Sequence, residues 1–125
     1  MVGLVGELAA DLRPHLMKEE MVLFPYIREL EEDVLASRSA PRPAFGPLEP
    51  PLRCMVAEHD RVEEILRALG RTTSGYTPPD DACSAYRALY AGLAELEADL
   101  QQHIHLENEV LFPAARALER RARGG

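Results

Sequence analysis

The chain has 125 residues and a mass of 13.9 kDa, which is the size of one ordinary domain. Its 14 Lys and Arg against 21 Asp and Glu give a net charge of −7, which argues against nucleic acid or a membrane surface as a partner. No apolar run approaches the roughly 18 residues of a membrane span, and the two cysteines form no disulfide framework, so a reducing cytoplasm is the expected compartment.

The first predicted helix covers about residues 3–35. Its inward positions recur every three or four residues, as on one face of an α-helix: Val5, Leu8, Leu12, His15, Glu19, Val22, Tyr26 and Leu30. Pro25 removes a backbone donor inside this pattern, so we expect a kink. Residues 36–50 have no periodicity and, together with Pro51, contain five prolines, which predicts an irregular connector.

A second helix is predicted at about residues 51–70, ending at Gly70. Its inward positions are Leu52, Met55, Val56, His59, Val62, Leu66 and Leu69. Residues 71–77 are predicted to be a loop whose last residue, Thr77, caps a long third helix at about residues 78–121. The inward positions of that helix are Ala82, Tyr86, Leu89, Leu93, Leu96, Leu100, His103, Glu107, Val110, Ala114 and Ala117. No β-type alternation competes, so the predicted fold class is all-α, an antiparallel bundle in one domain that spans residues 1–125.

The first helix and the end of the third are copies of one pattern. When residues 7–31 are aligned with 95–119, an offset of 88, 14 of the 25 positions are identical. Both copies contain H-x3-E, four further residues and then F-P, which favours an internal duplication. His59 lies 44 residues before His103, whereas the position 44 residues before His15 would precede Met1. We therefore expect three helices of a four-helix pattern.

Histidine and glutamate four residues apart share one face of a helix, so both can reach the same ion or two adjacent ions. All four histidines of the chain have Glu at this spacing. Five of these ionisable residues lie on the predicted inward faces and are the candidate metal ligands: His15, Glu19, His59, His103 and Glu107. Buried charges must be paired or bound to metal, and imidazole with carboxylate suits Fe, Mn or Zn. We predict a dinuclear iron site, with Mn or Zn as alternatives.

The residues around these candidates are assigned more ordinary roles. Three acidic residues adjoin the candidate ligands and could orient them, but surface charge is the expected role of each: Glu20, Glu58 and Asp60. Glu63 lies one turn after His59 and beside Glu64, and it is expected to point to solvent. Cys54 is predicted to be buried and inert, and Phe24 and Phe112 are predicted to pack in the core around the site.

Four segments carry a resemblance to a known family: HLMKEEMVLFP (15–25), MVAEHD (55–60), GYTPPDDACSAYRALYAGLAELEADL (75–100) and HIHLENEVLFP (103–113). They resemble the hemerythrin-like, HHE cation-binding domain, and more closely the bacterial di-iron proteins of iron–sulfur cluster repair. The resemblance implies a hemerythrin-like four-helix bundle with two non-haem iron ions bridged by two glutamates. It also implies iron–sulfur proteins, damaged by nitric oxide or oxidants, as clients. Carried over by position, the ligands are the five residues named above.

The chain departs from the family at its N-terminal side. The family's sixth ligand, a histidine on the first helix, and a short N-terminal domain with a cysteine motif have no counterpart. Two explanations stay open: Met1 is not the true start, or another subunit fills the gap. A bundle that lacks one wall exposes apolar surface, so we expect a homodimer.

Three functions stay open at this point. The first is iron–sulfur cluster repair, and whether a catalytic step occurs is undecided. The second is a carrier or sensor of NO or O2 without a catalytic step, since an open coordination position would accept such a ligand. The third is a degenerate, truncated bundle that binds metal weakly.

Overall fold

A computed structural model describes residues 2–36 and 47–122, and all regular secondary structure in these residues is helical. The helices form three rods. The first contains α1 (Val2–Lys18), a π-helical turn (Glu19–Leu23) and α2 (Phe24–Leu35), the second is α3 (Glu49–Thr72), and the third contains α4 (Ser84–Leu106), a second π-helical turn (Glu107–Leu111) and α5 (Phe112–Ala122). The predicted all-α class with three helices is confirmed. Most of the predicted connector, residues 37–46, lies outside the described residues.

Two predicted helix ends are wrong. The helix α3 continues past Gly70 to Thr72, because the only glycine with positive φ among the described residues is Gly75 (φ 69°), in the turn that follows. The hydroxyl of Thr73 closes this end by donating to the carbonyl of Leu69 at 2.7 Å and accepting from the N–H of Tyr76 at 3.1 Å.

The third rod begins at Ser84 and not at residue 78, so Thr77 does not cap it. Asp80 and Asp81 lie in a turn. The side chain of Arg87, in the first turn of α4, donates to the backbone carbonyls of Pro79, Asp80 and Ala82, the second at 2.8 Å. These bonds hold the preceding segment in a non-helical conformation. The tendency of Thr77 and Pro78 to begin a helix does not predict that conformation.

The rods bury two apolar clusters at different levels. In one, α2 packs along α5 and the cluster includes Leu30, Leu52 and Phe112. In the other, α1 packs along α3 and the cluster includes Leu8, Val62, Leu66, Leu69 and Ile104. Along every rod, the candidate ligands lie between residues of the first cluster and residues of the second. The polar cluster is therefore enclosed from above and below by hydrocarbon.

A π-helical turn stands where a proline kink was expected. The N–H of Phe24 donates to the carbonyl of Glu19, five residues earlier, and Phe112 donates in the same way to Glu107. The first turn ends shortly before Pro25, and the second ends shortly before Pro113. The missing N–H and the bulky ring of proline would disrupt the backbone hydrogen bonds of an α-helix at that point. The duplication thus extends from the sequence to a shared backbone irregularity.

The extra residue in each π-helical turn displaces the inward face locally, although Tyr26 and Leu30 of α2 are buried as predicted. Val22 and Val110 were predicted to point inward and are exposed, as is Ala114. Their place in the core is taken by Leu23 and Phe112, one or two positions later. Phe24, which was predicted to pack around the site, is exposed for the same reason.

One face of the third rod has no helical neighbour among the described residues. Tyr86, Leu89 and Leu96 follow the predicted inward spacing of α4, yet all three are exposed, as is Val5 on α1. The cleft between α1 and α4 has His59 and Val62 of α3 as its floor. None of the described helices combines the length and apolar character that crossing a bilayer requires.

Candidate metal centre

The five predicted ligands come from all three rods. His15 and Glu19 stand one turn apart on the first rod, His103 and Glu107 do so on the third, and His59 comes from α3. Glu19 and Glu107 are each the first residue of a π-helical turn. Four of the five side chains are at most 4% exposed, and their potential ligand atoms all lie within 4.8 Å of one another: His15, Glu19, His59 and Glu107.

Short distances connect these four side chains. The Nε2 atom of His15 lies 2.9 Å from Oε1 of Glu19 and 3.2 Å from Nε2 of His59. The Nε2 atom of His59 lies 2.9 Å from Oε1 of Glu107. His103 completes the group from the rim: its side chain is 41% exposed, and its Nε2 lies 3.2 Å from Glu107 and 3.5 Å from Glu19. The structure therefore brings all five predicted residues together. We term these five residues the His–Glu cluster.

Glu107 Oε2 is enclosed and has no hydrogen-bond partner, and two further enclosed atoms, Glu19 Oε1 and His103 Nε2, have only the ionic contacts given above. Leaving a buried polar atom unsatisfied costs about 1–3 kcal/mol, and more for a charged group. Each of these atoms carries a lone pair that can be directed at a cation, and the nitrogen and oxygen donors suit Fe, Mn or Zn. The cluster therefore fits a metal site.

Protons shared among the buried groups would balance the charge of the cluster without metal. Burial lowers the pKa of His15, but its contacts with Glu107, Glu19 and Glu58 outweigh burial and raise the pKa to about 10. The pKa of Glu19 is raised, first by burial and then by the neighbouring Glu107 carboxylate. Burial also acts upward on Glu107, but hydrogen bonds from His15 and His59 bring its pKa well below the usual range. A protonated His15 beside an ionised Glu107 is thus the favoured metal-free state.

Glu58 is a partner of His15 and not a detached surface charge, so its predicted role is wrong. Its Oε1 accepts a hydrogen bond of 2.7 Å from Nδ1 of His15, and its other oxygen accepts from Lys18. Burial alone would raise the pKa of Glu58, but these two donors lower it. The prediction failed because Glu58, the residue before His59, lies on a different face of α3 from His59. That face contacts α1. Cys54, predicted to be buried, is exposed and donates weakly to Glu58 at 3.5 Å.

Asn108 is a polar partner that no sequence pattern indicated. Its Oδ1 lies 2.8 Å from Nδ1 of His59, on the ring edge opposite the cluster. Phe112, which was predicted to lie near the site, is fully buried and stacks on the same ring with centroids 5.8 Å apart and planes 2° apart. The other acidic neighbours stay outside the cluster: Glu20 and Asp60 are exposed, and Glu63 is half-buried.

An apolar cleft of about 160 Å3 adjoins the cluster on the open side between α1 and α4. Hydrocarbon side chains supply most of its lining: Leu12, Leu16, Val62, Leu100 and Ile104. His15, His59 and His103 line it as well, so it gives access to the nitrogen side of the cluster.

Known proteins are similar to this chain over most of its length. The family model described as Hemerythrin HHE cation binding domain matches residues 1–115. The chain is 42% identical over 116 residues to the iron-sulfur cluster repair protein YtfE of Yersinia pseudotuberculosis, covering 90% of this chain and 47% of that protein. It is also 42% identical over 109 residues to YtfE of Escherichia coli, covering 87% of this chain and 44% of the relative. The chain thus spans about half the length of these relatives.

The pKa of His15 makes the stability of the metal-free protein depend on pH. Because its pKa is about 10 in the folded chain against 6.5 for an ordinary histidine, protonated His15 stabilises the fold fully below pH 6.5, and this contribution is lost as pH rises toward 10. We expect thermal unfolding with chelator present to show a loss on the order of 1–3 kcal/mol over this range. Glu58→Gln should move the loss about one unit lower in pH, while Glu63→Gln on the same helix should not. A wild-type profile that is flat from pH 6.5 to 10 would contradict the prediction.

Proposed function

This chain belongs to the hemerythrin HHE cation-binding family, and on that premise we propose that it is a non-haem di-iron protein acting in the repair of iron–sulfur clusters. The five residues of the His–Glu cluster are the proposed ligands. Manganese or zinc would fit the same donor types, and iron is chosen because it is typical of the family.

The observation that carries the proposal is the burial of this donor set. Three histidines and two glutamates from three separate rods converge on one centre. There Glu107 Oε2 lacks a hydrogen-bond partner, and Glu19 Oε1 and His103 Nε2 have only ionic contacts within the cluster. Structural polar networks satisfy their members, so a network that leaves its inward-facing atoms unsatisfied is arranged for an additional group at its centre. Two facing carboxylates, from Glu19 and Glu107, suit a pair of cations.

The side chains of this site have distinct tasks. A bound pair of iron ions would supply redox chemistry and a place for a small diatomic molecule such as NO or O2. Glu19 and Glu107 provide two negative charges at the centre, and Glu58 provides another charge behind His15, balanced by Lys18. His15 must release its proton before its Nε2 can act as a ligand, so metal binding and proton release are linked.

The role in repair rests on the relatives, which are named iron-sulfur cluster repair proteins and are about twice as long as this chain. We propose damaged iron–sulfur proteins as clients, with nitrosative or oxidative stress as the setting. We also propose a cytoplasmic location, since both cysteines are free and exposed.

A carrier or sensor of NO or O2 is the second candidate, and the apolar cleft favours it. An uncharged diatomic molecule enters hydrocarbon surroundings readily, and this cleft leads to His103, the one half-exposed member of the cluster. Such a protein would need no client. The cleft is equally compatible with a repair protein that removes NO.

Iron content tests the centre directly. Protein purified without oxygen and loaded with Fe2+ should contain about two irons per chain and, after oxidation, the absorption of a coupled diferric pair. Glu19→Ala or Glu107→Ala should abolish that absorption, because each removes a central carboxylate. Glu63→Ala, on α3 but outside the cluster, is the matched control and should retain it. Wild-type protein that takes up no iron after reconstitution would leave only the degenerate bundle.

Repair of a client separates the first two candidates. An iron–sulfur enzyme inactivated by NO should regain activity when incubated with the iron-loaded protein and a reductant, and the Glu107→Ala variant should restore far less. If the loaded protein binds NO reversibly but restores no activity, the carrier or sensor function is favoured.

We further propose a homodimer through the open face of the third rod. Tyr86, Leu89 and Leu96 present apolar surface beside the cleft, and burying such surface contributes about 25 cal/mol per Å2. Sedimentation at micromolar concentration should show a dimer that Leu89→Glu disrupts, whereas Leu35→Glu, exposed at the far end of α2, should leave it intact. A monomeric wild-type protein would disprove this assembly.

A further inference from the structure

We propose that Asn108 is the positioning residue for His59: its side-chain oxygen holds the Nδ1–H of His59 and so directs the Nε2 lone pair into the His–Glu cluster. This inference rests on the proposed metal-binding function and assigns a role to a residue that donates nothing to the centre itself. It concerns which edge of one buried imidazole faces inward.

His59 needs an external partner more than the other two histidines do. His15 and His103 each have a cluster glutamate one turn later on their own helix, whereas α3 contributes His59 alone. Its side chain is buried, so a misplaced N–H would lose a hydrogen bond at a cost of about 1–3 kcal/mol. A contact from another rod must therefore fix its orientation.

The geometry supplies that contact. Oδ1 of Asn108 lies 2.8 Å from Nδ1, and the opposite edge places Nε2 2.9 Å from Oε1 of Glu107. An amide oxygen only accepts, so Nδ1 keeps its proton whether or not Nε2 is protonated. When Nε2 gives up its proton to become a ligand, the Nδ1–H bond to Asn108 is retained, and the neutral tautomer with a free Nε2 is selected.

Stacking cannot perform this task alone. Phe112 lies parallel to the His59 ring and restrains its plane. If the ring rotated by 180° about its Cβ–Cγ bond, its plane and the stack on Phe112 would be preserved. Nδ1 would then exchange with a carbon, and the wrong edge would face the cluster. The hydrogen bond to Asn108 distinguishes the two edges, which a hydrophobic contact does not.

An uncharged acceptor suits this position. His15 is held by a carboxylate, Glu58, whose charge is balanced by Lys18 at the surface. A carboxylate at position 108 would add a third negative charge close to Glu19 and Glu107. The duplicated position in the first rod, 88 residues earlier, is Glu20, which is exposed. The amide therefore belongs to the contact with α3 and not to the repeated pattern.

The tautomer of His59 in the metal-free protein is the first test. Long-range 1H–15N spectra of protein with labelled histidine should show a protonated Nδ1 of His59 in the wild type, whether or not Nε2 also carries a proton for Glu107. Asn108→Ala should shift the population toward the Nε2–H form, and Asn108→Asp, which keeps an acceptor, should restore Nδ1–H. Glu20→Ala is the control at the duplicated position and should leave the spectrum unchanged. A wild-type His59 in the Nε2–H form would overturn the proposal.

Affinity for Zn2+, measured by competition with a chelating dye, is the second test. Asn108→Ala should weaken binding about 10–100-fold, as losing the hydrogen-bond partner of a ligating histidine does elsewhere, and Asn108→Asp should recover part of the loss. Equal affinity of Asn108→Ala and wild type would also overturn the proposal. If the wild type binds neither Zn2+ nor iron, the proposed function fails, and the tautomer measurement still decides the role of Asn108. Because that measurement begins with the wild type, a variant that does not fold leaves the proposal testable.

Discussion

The structure depends on keeping five ionisable side chains inside a small apolar interior. Burying one uncompensated charge costs more than a single domain of this size can tolerate, so the charges must balance one another or balance a cation. Without metal, the balance is made by protons, which is why the pKa of His15 rises to about 10 while that of Glu107 falls. The same arrangement makes a cation the natural substitute for those protons. Stability and metal binding are thus two results of one electrostatic requirement.

That requirement also explains the irregular backbone. In an unbroken α-helix, the face that points His15 and Glu19 inward would next point Val22 inward. The π-helical turn begins at the glutamate itself, and Leu23 takes the inward place instead, in the apolar cluster that also contains Leu30. The third rod repeats the device from Glu107 onward, with Phe112 in the core and against His59. Each glutamate is therefore held at a point where the helix changes register, beside the proline that the duplicated F-P sequence provides.

Most of the fold could be predicted because its signals are periodic and local. Apolar spacing of three and four gave the three rods, and the H-x3-E pairs with His59 gave a group of residues that the structure does bring together. What failed depends on contacts between elements. The shifted faces after residues 19 and 107, the late start at Ser84 and the exposure of Cys54 each follow from a backbone path that spacing does not encode. Glu58 and Asn108 were missed or misassigned because their partners, His15 and His59, lie 43 and 49 residues away in sequence.

The two halves of the duplication now perform unequal tasks around one centre. The third rod faces α3 and receives from it a histidine that Asn108 and Phe112 hold in place. The first rod also faces α3, but there Glu58 of α3 approaches His15. On the remaining side, between α1 and α4, hydrocarbon and the half-exposed His103 form the cleft. A centre that is fixed by α3 on one side and open on the other has an apolar approach through this cleft. A small molecule that enters the cleft therefore meets the histidines of the cluster, since His15, His59 and His103 all line it.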